Sequence, residues 1–481
     1  MEDINSSSMH IVMLPWLAFA HILPFTEFAK RIARQGHRVT LLSTPRNTRR
    51  LIDIPPDLAG LIRVVDVALP RVEHLPEDAE ASIDLPSDDL RPYLRRAYDA
   101  AFAAALSGIL QGPEELWRPA DYAAHWAPEA AARHGVPCAY LSLYSAAVLS
   151  FFGPAEALMG RGKYAKASPE QLTEVPDFVP FPTTIAYRGH EARQMFKPAA
   201  TQDASGVSEL YRSGKSIDAS QVVGIRSSRE LEPEWLQLLG ELYRKPVIPV
   251  GLFPPSPPAQ DIEAGLEATL RWLDRQAPGS VVYAAFGSEA KLTSTQLEAI
   301  ALGLEASGLP FLWAFRAPAG ADTGEEDIQR GLPDGFEARV HGRGIVCRGW
   351  VPQVRFLAHG SIGAFLTHAG WNSVTEGLAH GVRLALLPLM FDQGLNARHM
   401  VEKKVGVEVE RDEEDGSFAP VGIAAALRKV MVEDEEFGVK AKELATVFGD
   451  DELNDQYVRD FLKCLSEYSR HQSGQVRAVS D

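Results

Sequence analysis

Residues 368–377 read HAGWNSVTEG, set between the apolar runs GAFLT and RLALLPL. So many polar and small residues suit a strand-to-helix turn better than a core helix. The run IGAFLT is expected to end as a strand near His368. Ala369 and Gly370 then turn the chain, and a helix starts near Asn372. In an open parallel sheet, ligands gather at the carboxyl ends of strands. Backbone N–H groups at 370–373 and the positive end of the helix dipole suit a pyrophosphate, and Gly370 lets the backbone come close. His368, Asn372 and Ser373 can each donate to a phosphate oxygen. Glu376 lies four and three residues beyond Asn372 and Ser373, on the same helix face. Its carboxylate can accept from both hydroxyls of a ribose. The residue types therefore point to a nucleoside diphosphate. The competing account is structural: Asn372 and Ser373 cap the helix, and Glu376 closes a capping box.

Such a turn needs a parallel sheet to hold it. HIVMLPW at 10–16 reads as a first strand, and Phe25, Phe28, Ala29, Ile32 and Ala33 recur at helical spacing after it. Gly36 stops that helix and RVTLLST forms a second strand. This β-loop-α-β start is the signature of an α/β sheet. LIRVVDVAL at 61–69, HGVPCAYLSL and SQVVGIRSS read as further strands, with an alanine-rich helix ending near 110. Residues 246–260 carry the Pro/Ser run of an interdomain linker. The α/β pattern then restarts with strands SVVYAAFGS, PFLWAFR, GIVCRGW, IGAFLTH and RLALLPL. Helices are expected over TSTQLEAIALGLEASG, around 353–358, over WNSVTEGLAHG and through 420–467. Two parallel-sheet domains facing one another, with a ligand cleft between them, are expected.

Composition agrees with two domains and narrows the function. The chain has 481 residues, more than one core usually serves. Its net charge of −16 argues against a phosphate-backbone binder and against an anionic membrane surface. Cys138, Cys347 and Cys464 are odd in number and far apart, so reduced thiols and a cytoplasmic location are expected, without a zinc site. The N-terminus has no basic n-region of a signal peptide, and no apolar run approaches the length of a spanning helix.

From Trp350 to Gln393 the chain reads WVPQVRFLAHGSIGAFLTHAGWNSVTEGLAHGVRLALLPLMFDQ, a 44-residue stretch. It closely resembles the signature of plant family 1 UDP-sugar-dependent glycosyltransferases, at full length and without gaps. PWLAFAHILP, STPRN, LPRVEHLPEDAEAS and FGSEA resemble the same family, and the likeness runs nearly end to end, weakest around 155–220. The N-terminal phrases look like the branch that adds a sugar to a sugar already attached to a small molecule.

The resemblance implies a GT-B architecture of two facing Rossmann-like domains, residues 1–250 and 251–452. A C-terminal helix, about 453–481, is implied to pack back on the first. Trp350 would stack on uracil, with Val351 in the same donor set, and Gln353 would lie beside uracil and ribose. Ser288 would reach the β-phosphate. His368, Gly370, Trp371, Asn372 and Ser373 would hold the diphosphate, and Glu376 the ribose. Asp392 and Gln393 would bond the hydroxyls of the donor sugar. His21, in AFAHILP, matches the catalytic histidine, a residue type suited to general-base work near neutral pH. Asp121, in ADYAAHW, matches the aspartate that fixes its tautomer. His125, one turn on, reads as acceptor-pocket lining or structure.

Three positions depart from the family pattern. Ala369 replaces a cysteine and is small enough to be neutral. Arg383 replaces a proline and puts a charge at the start of a buried strand, at a cost in stability. In EELWRPADY, Arg118 and Pro119 suit a central strand badly, which puts the pairing of Asp121 with His21 in question. A nicotinamide dehydrogenase is disfavoured because GxGxxG is absent, with Cys347 where the third glycine would stand. A P-loop kinase is disfavoured because SGKS at 213–216 has Glu209 at the upstream glycine position. A non-catalytic nucleotide-sugar sensor would not need His21 and Asp121.

The expected activity is inverting transfer of glucose from UDP-glucose to a hydroxyl of a flavonoid or terpenoid glycoside, giving a β-linked product. Transfer to an aglycone, or from UDP-rhamnose, is the alternative. No metal or other cofactor, no nucleic acid and no membrane insertion are expected, and a monomer is.

Overall fold

The computed structural model describes residues 8–111, 116–255, 266–316 and 331–479. The chain divides into two compact units, Met1–Ala167 with Phe196–Phe253 and Asp451–Asp481, and Ser168–Met195 with Pro254–Asp450. Most of the Pro/Ser run expected as a linker falls at 256–265, outside the described residues.

In the first unit the strands are β1 (His10–Met13), β2 (Arg38–Ser43), β3 (Ile62–Asp66), β4 (Leu116–Ala120), β5 (Cys138–Ser142), β6 (Val222–Ile225) and β7 (Val247–Pro249). They form a parallel sheet in the order β3-β2-β1-β4-β5-β6-β7. Strand β1 is shorter than its apolar run, because residues 15–18 leave the sheet to reach the helix Phe19–Arg34. Phe25, Phe28, Ala29, Ile32 and Ala33 of that helix are buried, as the spacing predicts, and Ile22 is buried with them. Each large side chain so buried contributes about 1.5–3 kcal/mol. Gly36 follows at φ 85°, the left-handed conformation that ends the helix.

The segment around Pro119 departs from expectation. It is a central strand, not a displaced loop. Leu116 and Trp117 run beside His10 and Ile11 of β1, and Arg118 to Ala120 beside Cys138 to Tyr140 of β5. The ladder to β1 then resumes with the N–H of Asp121 donating to the Leu14 carbonyl at 3.3 Å. Pro119 has no N–H to give, and it lies between these two stretches of the β1 ladder, while its pairing with β5 continues. Trp117 is 3% exposed, and its indole N–H donates to Ser469 Oγ at 2.7 Å. Glu114 and Glu115, which precede this strand, lie outside the described residues.

Ser469 belongs to the helix Asp451–Val479, which closes the first unit. Arg31 pairs with Asp451 and Asp455, each at 2.6 Å, and Phe461 packs on Phe28 at 5.8 Å. Asn454 Oδ1 accepts the N–H groups of Leu252 (2.7 Å) and Phe253 (2.9 Å). A Cβ on Gly251, whose φ is 89°, would stand 2.7 Å from that same oxygen, so only glycine fits there.

In the second unit the strands are β8 (Val281–Ala285), β9 (Phe311–Phe315), β10 (Gly344–Arg348), β11 (Ile362–Thr367), β12 (Arg383–Leu386) and β13 (Gly406–Glu408). Their order is β10-β9-β8-β11-β12-β13, all parallel. Trp313, Phe311, Phe365 and Leu366 fill its core. The expected boundary at 250 assigns residues 168–195 to the first domain, whereas they pack in the second unit. Charge holds them there: Glu191 pairs with Arg398, and Arg188 with Glu408 at 3.2 Å. Thr183 Oγ1 also donates to Glu402 at 2.9 Å.

Arg383 begins β12 as expected, half-buried. Its Nη1 donates to the Gly363 carbonyl at 3.3 Å, and burial depresses its pKa. A Cβ on Gly438 would stand 2.4 Å from the guanidinium, so a missing side chain makes the room.

Replacing Asn454 with alanine strips two buried N–H groups of their acceptor. Asn454→Ala is expected to lower the urea midpoint of the first unit by an amount equivalent to about 2–4 kcal/mol. An unchanged midpoint would show that the contact is not stabilising.

Candidate active site

The first group of functional side chains stands at the carboxyl ends of two neighbouring strands, β1 and β4. His21 lies in the first turn of the helix after β1. Asp121 is the first residue past β4 and caps the short turn Tyr122–Ala124. His21 Nδ1 meets Asp121 Oδ2 at 2.5 Å. The same oxygen accepts the N–H of Trp16 at 3.0 Å, and Oδ1 accepts that of Tyr122 at 2.6 Å. Asp121 is 2% exposed, whereas the imidazole keeps 16% of its surface. With the Nδ1 proton directed at a carboxylate, Nε2 is the basic nitrogen of the ring. The strand whose Arg118 and Pro119 put this pairing in question is therefore what carries Asp121 to His21.

Around the carboxylate the packing is dense. Trp16 meets Tyr98 edge-on at 5.6 Å, and the Arg95 guanidinium lies 5.3 Å from the centre of its ring. Tyr98 donates to the Leu14 carbonyl at 3.3 Å. Burial and the nearby Asp121 charge push the Tyr98 phenol well above its ordinary pKa, so it stays a donor. His125 takes a structural place: its Nδ1 is 3.0 Å from Nη1 of the fully buried Arg212, which pairs with Asp99 at 3.0 Å. Burial, then Arg212, depress its pKa.

The second group lies wholly in the second unit. Strands β8 and β11 are adjacent, and their carboxyl-end turns touch. Gly287, at φ 75°, and Gly370 flank the His368 ring, and a Cβ on either would stand 2.6 Å from Nε2. Ser288 follows in the first turn. The helix beyond the second turn spans Trp371–Ala379, with Gly370 as its N-cap and no side-chain cap. The capping-box account fails on this point. Glu376 instead accepts from Gln353 Nε2 at 2.6 Å, and Gln353 Oε1 accepts from the Tyr283 hydroxyl at 3.4 Å. Ribose and base contacts expected of Gln353 and Glu376 are thus brought side by side. Ser373 is buried in the first turn of that helix, and Asn372 is half-buried.

Trp350 follows β10 and is 72% exposed, which excludes a core role and leaves a flat ring open to solvent. Val351 beside it is half-buried, its carbonyl accepting the Gln353 N–H at 2.9 Å. Trp371 differs from expectation. Its indole is 4% exposed and lies parallel to the buried His399 ring at 6.4 Å, so what it offers the turn is its backbone N–H. Gln393 is also more committed than expected: Oε1 accepts the N–H groups of Leu389 and Met390, both at 2.9 Å, which leaves its NH₂ group as the donor.

Two residues that sequence reasoning missed complete this region. Ala369 holds φ 63°, unusual for a side chain with Cβ. Buried Asn396 donates to its carbonyl at 3.1 Å and to Asp392 Oδ2 at 2.7 Å, tying the turn after β11 to the loop after β12. The polar Asn three residues after Gln393, in an otherwise buried helix, was the available signal. Arg316, just past β9, donates from Nη1 to the Ser288 carbonyl at 2.9 Å. No sequence pattern marks it. Among the described residues no cluster of three His, Cys, Asp or Glu side chains could hold a metal, and no helix is long and apolar enough to cross a membrane.

The family model described as "UDP-glucoronosyl and UDP-glucosyl transferase" matches residues 263–454. UDP-glycosyltransferase 91C1 of Arabidopsis thaliana is 41% identical over 468 residues, covering 97% of this chain and 98% of its own. The chain belongs to the UDP-glycosyltransferase family. Soyasaponin III rhamnosyltransferase of Glycine max is 38% identical, covering 96% of this chain and 97% of its own. The structure of Phytolacca americana UGT2, complexed with UDP-2fluoro-glucose and pterostilbene, superposes with a TM-score of 0.72. Its sequence is 27% identical, and the match covers 96% of this chain and all 100% of that one. This UDP-glycosyltransferase therefore has the GT-B fold and is a sugar-transferring enzyme, which retires the reading as a non-catalytic sensor.

Burial, with the Arg316 charge at His368 and the Lys403 charge at His399, holds two histidines of this glycosyltransferase neutral. The pKa of His368 falls to about 4 and that of His399 to about 3. An unfolded histidine takes a proton near pH 6.5. Below that pH the unfolded chain binds more protons than the folded one, so stability falls with pH. The second unit should lose stability progressively from about pH 6.5 towards pH 4, and keep it in full above 6.5. Thermal melts of the wild type and of His399→Asn across that window check this. A variant melting curve no flatter with pH than the wild type would contradict it.

Proposed function

We propose that this enzyme transfers glucose from UDP-glucose to a hydroxyl of a small-molecule glycoside, with inversion at the anomeric carbon. The observation that carries the mechanism is the 2.5 Å contact between His21 Nδ1 and the buried Asp121 carboxylate. His21 Nε2 takes the proton of the acceptor hydroxyl as its oxygen bonds to the anomeric carbon and the bond to the diphosphate oxygen breaks. Asp121 fixes the tautomer and offsets the imidazolium charge. Attack opposite the leaving group turns an α-linked donor into a β-glycoside through an oxocarbenium-like state, as in glycoside hydrolysis.

In this reading Trp350 stacks on uracil, Gln353 and Glu376 address the ribose, and Ser288 with His368 and the 370–373 N–H groups receives the departing diphosphate. Preorganised donors of this kind commonly contribute several kcal/mol to a charged transition state. His368, neutral at physiological pH, acts as a hydrogen-bond donor rather than as a cation. Asp392 and the NH₂ group of Gln393 read the sugar hydroxyls. The reaction needs no metal. The enzyme acts as a monomer in the cytoplasm.

The glycoside acceptor rests on the N-terminal phrases, and on a relative named for a saponin, itself a glycoside. That relative's name also makes UDP-rhamnose the second donor to test. A mass-spectrometric screen of aglycones and their glycosides against UDP-glucose, UDP-rhamnose, UDP-galactose and UDP-xylose tests both points. Products from aglycones alone would overturn the sugar-on-sugar assignment.

His21→Ala is expected to lower kcat by at least about 10³-fold while leaving the Kd for UDP unchanged, and Asp121→Asn to lower kcat by a smaller but still large factor. Single-turnover rates and calorimetry separate the two effects, and retained turnover in His21→Ala would remove that residue from the mechanism. Gln393→His should shift the preference among UDP-glucose, UDP-galactose and UDP-xylose in competition assays. An unaltered profile would exclude Gln393 from sugar recognition.

A further inference from the structure

The residues assigned to the donor carry no positive charge. Ser288, Trp350, Val351, Gln353, His368, Gly370, Trp371, Asn372, Ser373 and Gln393 are formally neutral, and Glu376 and Asp392 are acids. The diphosphate is a multiply charged anion. The helix N-terminus at Trp371 offers about half a unit of positive charge, and His368 is held neutral. A full cation is missing from this set.

We propose that Arg316 supplies it, acting as a further donor-positioning residue at the diphosphate turn. This rests on the reading of 287–288 and 368–373 as the diphosphate site. Strand β9 neighbours β8, so the residue just past β9 emerges beside the turn that follows β8. Arg316 is that residue. Its Nη1 donates to the carbonyl of Ser288 at 2.9 Å, which places the guanidinium over the Gly287–Ser288 turn. That turn is itself pressed against His368. The charge of Arg316 is felt at the imidazole, where it adds to burial in depressing protonation. The side chain is solvent-exposed, within reach of a ligand entering from outside. A guanidinium has five N–H donors in a planar fork, and one is spent on Ser288. The fork geometry suits phosphate oxygens.

The competing account is that Arg316 merely ties down the 286–289 turn. Glutamine can keep a bond to the Ser288 carbonyl but has no charge. The test is calorimetric titration of UDP and of uridine into the wild type, Arg316→Gln and Arg316→Lys. Arg316→Gln is expected to lose roughly tenfold in affinity for UDP, with uridine binding unchanged. Arg316→Lys should recover part of the loss, and the salt dependence of UDP binding should weaken in Arg316→Gln. An equal loss for UDP and uridine, or no loss for UDP, would overturn the inference. If Arg316→Gln does not fold, Arg316→Met takes its place, with an unchanged UDP-to-uridine affinity ratio counting against the inference. A wild type that fails to bind UDP would instead overturn the diphosphate reading itself, and this inference with it.

Discussion

A carboxylate buried almost completely must have its oxygens satisfied, and the first unit is arranged around meeting that demand at Asp121. Taking such a group out of water costs several kcal/mol. Three donors answer it: the imidazole of His21 and the backbone N–H groups of Trp16 and Tyr122. Hydrogen bonds to a charged group contribute about 1.5–3 kcal/mol each, enough to offset the burial. Two of the three come from the chain just past β1 and β4, so the pairing of those strands sets the position of the base. Tyr98 and Trp16 then exclude water from one side, while His21 keeps a partly open edge.

The second unit solves the opposite problem. In the proposed reaction it gathers weak donors for an anion without filling the space the anion needs. It does so by deletion. Gly287 and Gly370 stand where any Cβ would strike His368, and the helix that follows has no capping side chain to compete for its N–H groups. Asn396 holds Ala369 in a left-handed conformation and reaches Asp392 in the same stroke. Burial keeps His368 uncharged, so the turn's positive character comes from backbone dipoles and from the guanidinium of Arg316.

Periodicity made the strands and helices around these groups legible. The helix after β1 and the strands β8, β9, β11 and β12 fall where the apolar runs place them. The local rule failed at Pro119. A proline in a central strand removes one donor from the ladder, and this strand keeps its place through the pairs to β1 on either side of Pro119 and along β5. Likewise Trp371 reads as a ligand contact in the run of the sequence, yet helix geometry turns its indole into the packing against His399. Arg316 carries no signature because its role depends on β9 lying next to β8, a fact of sheet order.

The sequence by itself determined the chemistry available: a base, a carboxylate, a flat ring, a glycine-lined turn at a helix start, and the spacing from Trp350 to Gln393 that ties them to a nucleotide sugar. These are properties of residue type and short-range order, and they survive in a linear reading. The tertiary structure alone decided which atoms meet. Whether Asp121 reaches His21, whether Glu376 caps a helix or takes the amide of Gln353, and whether residues 168–195 travel with the first sheet or the second are long-range matters. They turn on strand order, ladder register and buried ion pairs, in which the partners are brought together by the fold and not by their distance along the chain.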